Sequence, residues 1–277
     1  MPWSHLRARW RRERGWDRAF VFDAGRLAAV VALLVFSVLA GLLGRRRAGI
    51  EAWATWAILG WLIGARVGFV ALNWADFTGQ PLDALRVWQG GFNARTGWFA
   101  GGAVLAVAAL RGRHHVLRPL VIAAAVTGVA HQAAVSALPR PAMTLPTMQL
   151  MAMDGSAVQI AGRDKVVVLN LWATWCPPCR REMPMMTELA AELPEIDFLF
   201  ANQGESADQI SDFLTNESLP SSGMLRDPSS HLMGRLRAVG MPTTLVFDAH
   251  GTLTGSHTGE ISRAALRGLI DKAKEKR

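Results

Sequence analysis

The hydrophobic pattern changes character halfway along the chain. The first half carries four apolar runs separated by polar or charged segments. Leu27–Leu43 is almost wholly apolar, and about 17 to 20 such residues cross the hydrocarbon core of a bilayer as a helix. Ala52–Leu72 is a second run, interrupted by Arg66. Trp98–Leu110 is a third, short and rich in Gly and Ala, and Pro119–Leu138 is a fourth that contains His131 and Gln132. Any one of these fits the buried helix of a globular core. Four in succession, with charged loops between them, predict a helical transmembrane domain over residues 1–138. The first run is not read as a cleavable signal peptide, because it lies well inside the chain and no small-residue cleavage site follows it.

Pro139-Arg140-Pro141 breaks the pattern, and residues 139–147 read as a linker. From 148 to 277 the periodicity is that of an α/β domain. Met148–Met153 and Ala157–Ile160 flank Asp154-Gly155 and predict a hairpin. Val166–Trp172 is a continuous apolar run of strand length, expected of a strand buried on both faces. A helix follows it, with Pro184 expected to kink it. Strands are expected at Ile196–Ala201 and Met224–Arg226, and helices at Asp208–Asn216 and His231–Arg237. Thr243–Phe247 and Thr252–His257 flank the turn Asp248-Ala249-His250-Gly251, and Ile261–Lys274 reads as a closing amphipathic helix.

Composition strengthens the membrane reading. Hydrophobic residues make up 51% of the chain, with 11 Trp and no Tyr. The net charge of +8 is gathered in the first 20 residues, Arg45–Arg47, Arg111–Arg118 and the C-terminus. Basic clusters beside apolar runs face lipid headgroups or set topology. No basic stripe is interleaved with base-stacking aromatics, so nucleic acid is not an expected partner.

The chemistry concentrates in the two cysteines of the chain, Cys176-Pro177-Pro178-Cys179. They follow the buried strand and open a helix. A helix N-terminus offers unpaired N–H groups and a positive dipole end. Both favour the thiolate at Cys176. Cys179, one turn on, can attack a mixed disulfide and release the product. Pro177 and Pro178 suit the first helical positions, where an N–H would be unpaired in any case. A zinc site would need further ligands, and no His stands at ligand spacing to the pair, so neither metal nor cofactor is expected.

The segment from Val167 to Pro184, with Asn170-Leu171-Trp172-Ala173-Thr174-Trp175 ahead of the cysteines and Arg180-Arg181-Glu182-Met183-Pro184 after them, closely resembles the TlpA-like branch of the thioredoxin superfamily. So does Val239-Gly240-Met241-Pro242-Thr243-Thr244-Leu245-Val246-Phe247-Asp248. The resemblance spans roughly residues 143–277 and implies a thioredoxin fold. It also implies a membrane-tethered, extracytoplasmic disulfide reductase kept reduced by a separate membrane protein; some members of the branch serve cytochrome c maturation. Carried onto this sequence, Cys176 is the exposed nucleophile, Cys179 the buried resolving thiol and Pro242 the cis-proline that sets the Met241 backbone against the sulfurs. Trp175, Pro177, Pro178, Met241 and Pro242 form the expected substrate-contacting set, and Trp172 is expected to pack. Asn170 stands where thioredoxins carry a buried Asp. Glu182 matches a carboxylate that several members hold near the site, and is the candidate to move the proton of Cys179. His231, His250 and His257 read as ordinary surface or loop residues.

The first half resembles part of bacterial prolipoprotein diacylglyceryl transferase in Ala65-Arg66-Val67-Gly68-Phe69-Val70 and in Pro81–Gly91. The family's essential His is replaced by Arg95, and its later segments are missing, so this half reads as a repurposed relative without transferase activity. An intramembrane Arg66 implies a headgroup ligand or a structural partner. This half holds no cysteine, so electrons for the dithiol are expected from another membrane protein. Four spans place Arg45–Arg47 and Arg111–Arg118 in the cytoplasm and the redox domain outside, as the positive-inside rule prefers. The same arrangement puts the Arg-rich N-terminus outside, against that rule. The expected function is reduction of protein disulfides. The competing readings are an oxidase or isomerase using the same pair, a lipid-modifying transferase with an appended redox domain, and a binding module with idle thiols.

Overall fold

A computed structural model describes residues 24–45, 49–79, 81–137 and 143–276. The basic N-terminal segment, Arg46-Arg47 and the linker prolines Pro139 and Pro141 lie outside the described residues. The chain divides into two compact units, Asp23–Arg140 with Glu260–Asp271, and Pro141–Gly259 with the last few residues.

The first unit is helical, and its four apolar runs are four α-helices among the described residues: α1 (Ala24–Gly44), α2 (Ile50–Leu72), α3 (Ala94–Leu110) and α4 (His114–Ala137). Two of them, α2 and α4, are long and apolar enough to cross a membrane; α3 has 17 residues. Phe36, Ala40, Ile50, Ala54, Ala108, Val116, Leu120 and Ala123 form one buried cluster. Helices α2 and α3 approach closely because Gly60, Gly64 and Gly68 recur every fourth residue on one face of α2. A methyl group at Gly64 would collide with Ala100 Cβ, and one at Gly68 with the Thr96 side chain. Asn93 caps α3, its side chain accepting from Thr96 N–H at 3.2 Å.

Between α2 and α3 the chain makes three short 3-10 turns, Trp74–Phe77, Pro81–Leu85 and Val87–Gln89. Arg66, buried on α2, holds this connection. Its guanidinium donates to the carbonyl oxygens of Asp83 (2.8 Å), Ala84 (2.9 Å), Gly90 (2.6 Å) and Gly91 (3.0 Å). It also lies about 6 Å from the ring centres of Phe69, Phe77 and Phe92. Of the two roles open to Arg66, these contacts supply the structural one.

The second unit is built on a seven-stranded mixed sheet of order β2-β1-β5-β4-β3-β6-β7. The strands are β1 (Gln149–Ala152), β2 (Ala157–Gln159), β3 (Val167–Trp172), β4 (Asp197–Gln203), β5 (Met224–Asp227), β6 (Thr243–Phe247) and β7 (Leu253–Thr258). β3, β4 and β5 run parallel, and the remaining pairs are antiparallel. All six residues of β3 are buried, as its unbroken apolar run implies. Leu169, Leu171, Leu199, Leu225, Leu245 and Phe247 belong to its core cluster.

Helix α5 (Pro177–Glu192) follows the cysteines, and Pro184 sits inside it without ending it. Helix α6 (Ala207–Asn216) opens on a capping box between Ser206 and Gln209. Helix α7 (His231–Arg235) stops short of the expected Arg237, which takes a positive φ of 52° that no helix accommodates. Helix α8 (Arg263–Lys274) closes the chain. His257 departs from expectation. It is buried in β7, where the strand register sets it opposite the buried Thr244 of β6.

Candidate active site

β3 ends at Trp172, and four residues later Cys176 stands immediately before α5. Cys176 is itself the N-cap, with extended backbone (φ −89°, ψ 106°) and a sulfur that accepts from Cys179 N–H at 3.3 Å. Pro177 and Pro178 occupy the first helical positions, where their missing N–H groups leave nothing unpaired. The thiol chemistry therefore sits where the end of a helix favours negative sulfur.

The two cysteines are joined as a disulfide, with Cα atoms 5.3 Å apart. Cys179 is fully buried, as expected. Cys176 was expected to be exposed and is not: only 3% of its surface is accessible. The physical reason is that its sulfur is bonded to buried Cys179 and turned back over the helix start to accept that N–H. Trp175 beside it is 66% exposed and is the large apolar surface next to the disulfide, whereas Trp172 is fully buried and packs on Phe213 at 5.5 Å between ring centres.

A buried polar group joins β3, α5 and β6. Asn170 Nδ2 donates to Glu182 Oε1 at 2.9 Å and to Thr244 Oγ1 at 3.1 Å. Glu182, one turn past Cys179 on α5, is only 2% exposed. The resemblance pointed to Asn170 and Glu182 separately; the structure brings them together and adds Thr244.

The peptide bond between Met241 and Pro242 is cis. β6 begins at the next residue, and its register with β3 pairs Thr243 with Leu171 and Thr244 with Asn170. Pro242 is thereby carried to the end of β3 at which the cysteine loop starts. Thr243 Oγ1 donates to Gly240 O at 2.6 Å, and Gly259 N–H donates to Pro242 O at 2.8 Å, fixing the loop on both sides of the proline.

A second buried carboxylate escaped the sequence reading. Glu205, 6% exposed, accepts from Thr174 N–H at 2.7 Å, from the Thr174 hydroxyl and from Asn202 Nδ2 at 2.6 Å. A lone acid in a turn carries no periodic signal, and its partner Thr174 draws notice only through its place before the cysteines.

Residues 140–270 match the Redoxin family. The chain is 27% identical over 125 residues to the thiol-disulfide oxidoreductase ResA of Halalkalibacterium halodurans, covering 44% of this chain and 70% of that protein. It is 30% identical over 132 residues to the thioredoxin-like protein YneN of Bacillus subtilis, covering 46% of this chain and 76% of the relative. Among solved structures, a thiol:disulfide interchange protein of the thioredoxin family from Chlorobium tepidum aligns with 49% of this chain and 99% of its own. That alignment has 22% identity and a TM-score of 0.43.

Proposed function

This chain belongs to the thioredoxin-like thiol–disulfide oxidoreductases, and from that premise we propose that it is a membrane-anchored, extracytoplasmic reductase of protein disulfides. The observation that carries the reading is the position of Cys176 as the N-cap of α5, with its sulfur taking the Cys179 N–H. In the reduced state that geometry favours the thiolate at Cys176 and leaves Cys179 one turn behind it.

The reaction balances in two exchanges. The Cys176 thiolate attacks one sulfur of a substrate disulfide; that S–S bond breaks and the first substrate thiol leaves. Cys179, having given up its proton, attacks Cys176 Sγ of the mixed disulfide. The second substrate thiol leaves and the Cys176–Cys179 disulfide forms. Two electrons pass to the substrate. Glu182 is the proposed proton carrier for Cys179. Trp175, Pro177, Pro178, Met241 and Pro242 are the proposed contact surface for an extended substrate segment. Disulfides that arise in cytochrome c maturation are the substrates to which the resemblance points.

The helical half, residues 1–138, is proposed to anchor the redox domain, 148–277, through four spans. Support comes from the apolar side chains its helices turn outward, among them Leu34 and Val38 on α1, Ile63 and Val67 on α2, Phe99 on α3 and Val129 on α4. Bilayer contact is the solvent in which such faces are stable. The half is proposed to keep the scaffold of the transferase resemblance without its activity, since Arg95 replaces the essential His. Residues 1–138 contain no cysteine, and a separate membrane thiol protein is the proposed electron donor for the dithiol.

Trapping tests the reading. The Cys179→Ser variant should retain substrate proteins on Cys176 as mixed disulfides, released by dithiothreitol and identified by mass spectrometry. The Cys176→Ser variant should hold none. Equal recovery from both variants, or parent-level disulfide reduction by Cys176→Ser, overturns it.

A further inference from the structure

We propose that Glu205 is a positioning residue for Cys176, holding the loop between β3 and α5 through its buried carboxylate; this rests on the reading of Cys176 as the attacking thiol.

The carboxylate is fixed from behind. Glu205 follows β4 by one glycine, Gly204, which turns the chain at φ +83° and donates its N–H to Asp227 O at 3.0 Å. Immediately after it, Ser206 caps α6 and receives the Gln209 side chain in return. A strand end and a capped helix thus bracket Glu205, so its backbone has little freedom.

The carboxylate is directed at the cysteine loop. One oxygen takes the Thr174 backbone N–H at 2.7 Å and the Asn202 amide at 2.6 Å; the other takes the Thr174 hydroxyl. Thr174 lies two residues before Cys176, in a link that belongs to neither β3 nor α5. Its N–H has left the sheet ladder and has not entered the helix. Three hydrogen bonds converge on this one carboxyl group, and burial excludes competing water. Beyond Thr174, the chain runs through exposed Trp175 to Cys176, whose N–H reaches Ala173 O at 3.3 Å. The Glu205 bonds therefore set where the link is pinned, and through it the angle at which Cys176 caps α5.

Two variants keep a carboxyl group at position 205 and loosen the grip. Glu205→Asp withdraws the carboxylate by one methylene, and Thr174→Val removes the hydroxyl while leaving the N–H. Each is made in the full-length chain carrying Cys179→Ser, so that Cys176 is the only thiol. The rate of alkylation by iodoacetamide is measured against pH, beside the thermal midpoint. A looser cap favours the thiolate less. Both variants should move the alkylation midpoint of Cys176 upward, Glu205→Asp by about one pH unit, which lowers the rate below the midpoint about tenfold. A merely structural role would lower the thermal midpoint and leave the alkylation midpoint in place. Unmoved alkylation midpoints in both folded variants overturn the proposal. The readout needs no protein substrate, so its failure is distinct from failure of the trapping experiment, which addresses the reductase reading itself.

Discussion

Asn170 Nδ2 donates to Glu182 Oε1 across 2.9 Å of buried space, linking strand β3 to helix α5 at the residue three positions past Cys179. A second bond from the same amide, to Thr244 Oγ1, extends the link to β6, the strand that follows the cis-proline. Three elements that each carry part of the site are thus joined through one side chain. Where thioredoxins proper place an acid on the strand, this chain places a neutral donor on the strand and the acid on the helix. The carboxylate stays close to Cys179 in sequence, one turn further along α5, and Asn170 orients it.

This arrangement predicts the behaviour of Glu182→Gln. The amide fills the same space, and Asn170 can still find an oxygen acceptor, so the fold should persist. What is lost is the proposed proton carrier for Cys179. Positioned acid–base groups contribute about a hundredfold or more to a rate. Turnover in insulin reduction should fall on the order of a hundredfold, with the loss concentrated in the second exchange, and the pH–rate profile should change shape. A profile that keeps its shape removes Glu182 from proton transfer.

Much of this was legible in the residues. β3 could be read because a continuous apolar run between turn signals has few other homes, and Cys176 because a CxxC that ends such a run lands on a helix start. The cis-proline followed from the match around Val239–Asp248. Glu205 could not be read: its function depends on a backbone N–H thirty-one residues away, and backbone groups have no identity in a sequence. The end of α7 was missed because the positive φ of Arg237 is imposed by the tertiary path rather than by local preference. The same limit applied to Arg66. It stood out as a charge in an apolar run, but its partners are carbonyl oxygens of the 3-10 connection, which could belong to any residues.

Arg66 should therefore fail to be replaced by lysine. A guanidinium offers donors in a planar fork, and here Nε, Nη1 and Nη2 all reach carbonyls. An ammonium on a flexible stem cannot span Asp83, Ala84, Gly90 and Gly91 together. Arg66→Lys leaves partly buried carbonyls unpaired, at a cost on the order of 1 kcal/mol or more. In lipid nanodiscs the variant should show a lower thermal midpoint and faster proteolysis within residues 79–92, with Arg66→Met similar. If lysine restores parent stability, charge rather than the fork is what this site requires.

The β1–β2 hairpin gives a pH prediction. Asp154 Oδ1 accepts from Ser156 Oγ at 2.7 Å and from Ser156 N–H at 2.9 Å, closing the turn. These bonds, the side-chain one foremost, hold the Asp154 carboxyl below the usual carboxylate range. A lowered folded value means that the turn's contribution to stability is complete above the unfolded value and is lost as pH falls through the folded one. The loss thus lies on the acid side of the ordinary Asp range, and neutral pH leaves the turn intact. Carbon-detected NMR of Asp154 should show a titration midpoint below that of an unstructured Asp. Ser156→Ala removes the leading hydrogen bond and should raise the midpoint toward the ordinary value, while Asp154→Asn should hold the turn closed through the acid range. A midpoint that Ser156→Ala leaves unmoved would show that the hydroxyl is not what stabilises the carboxylate.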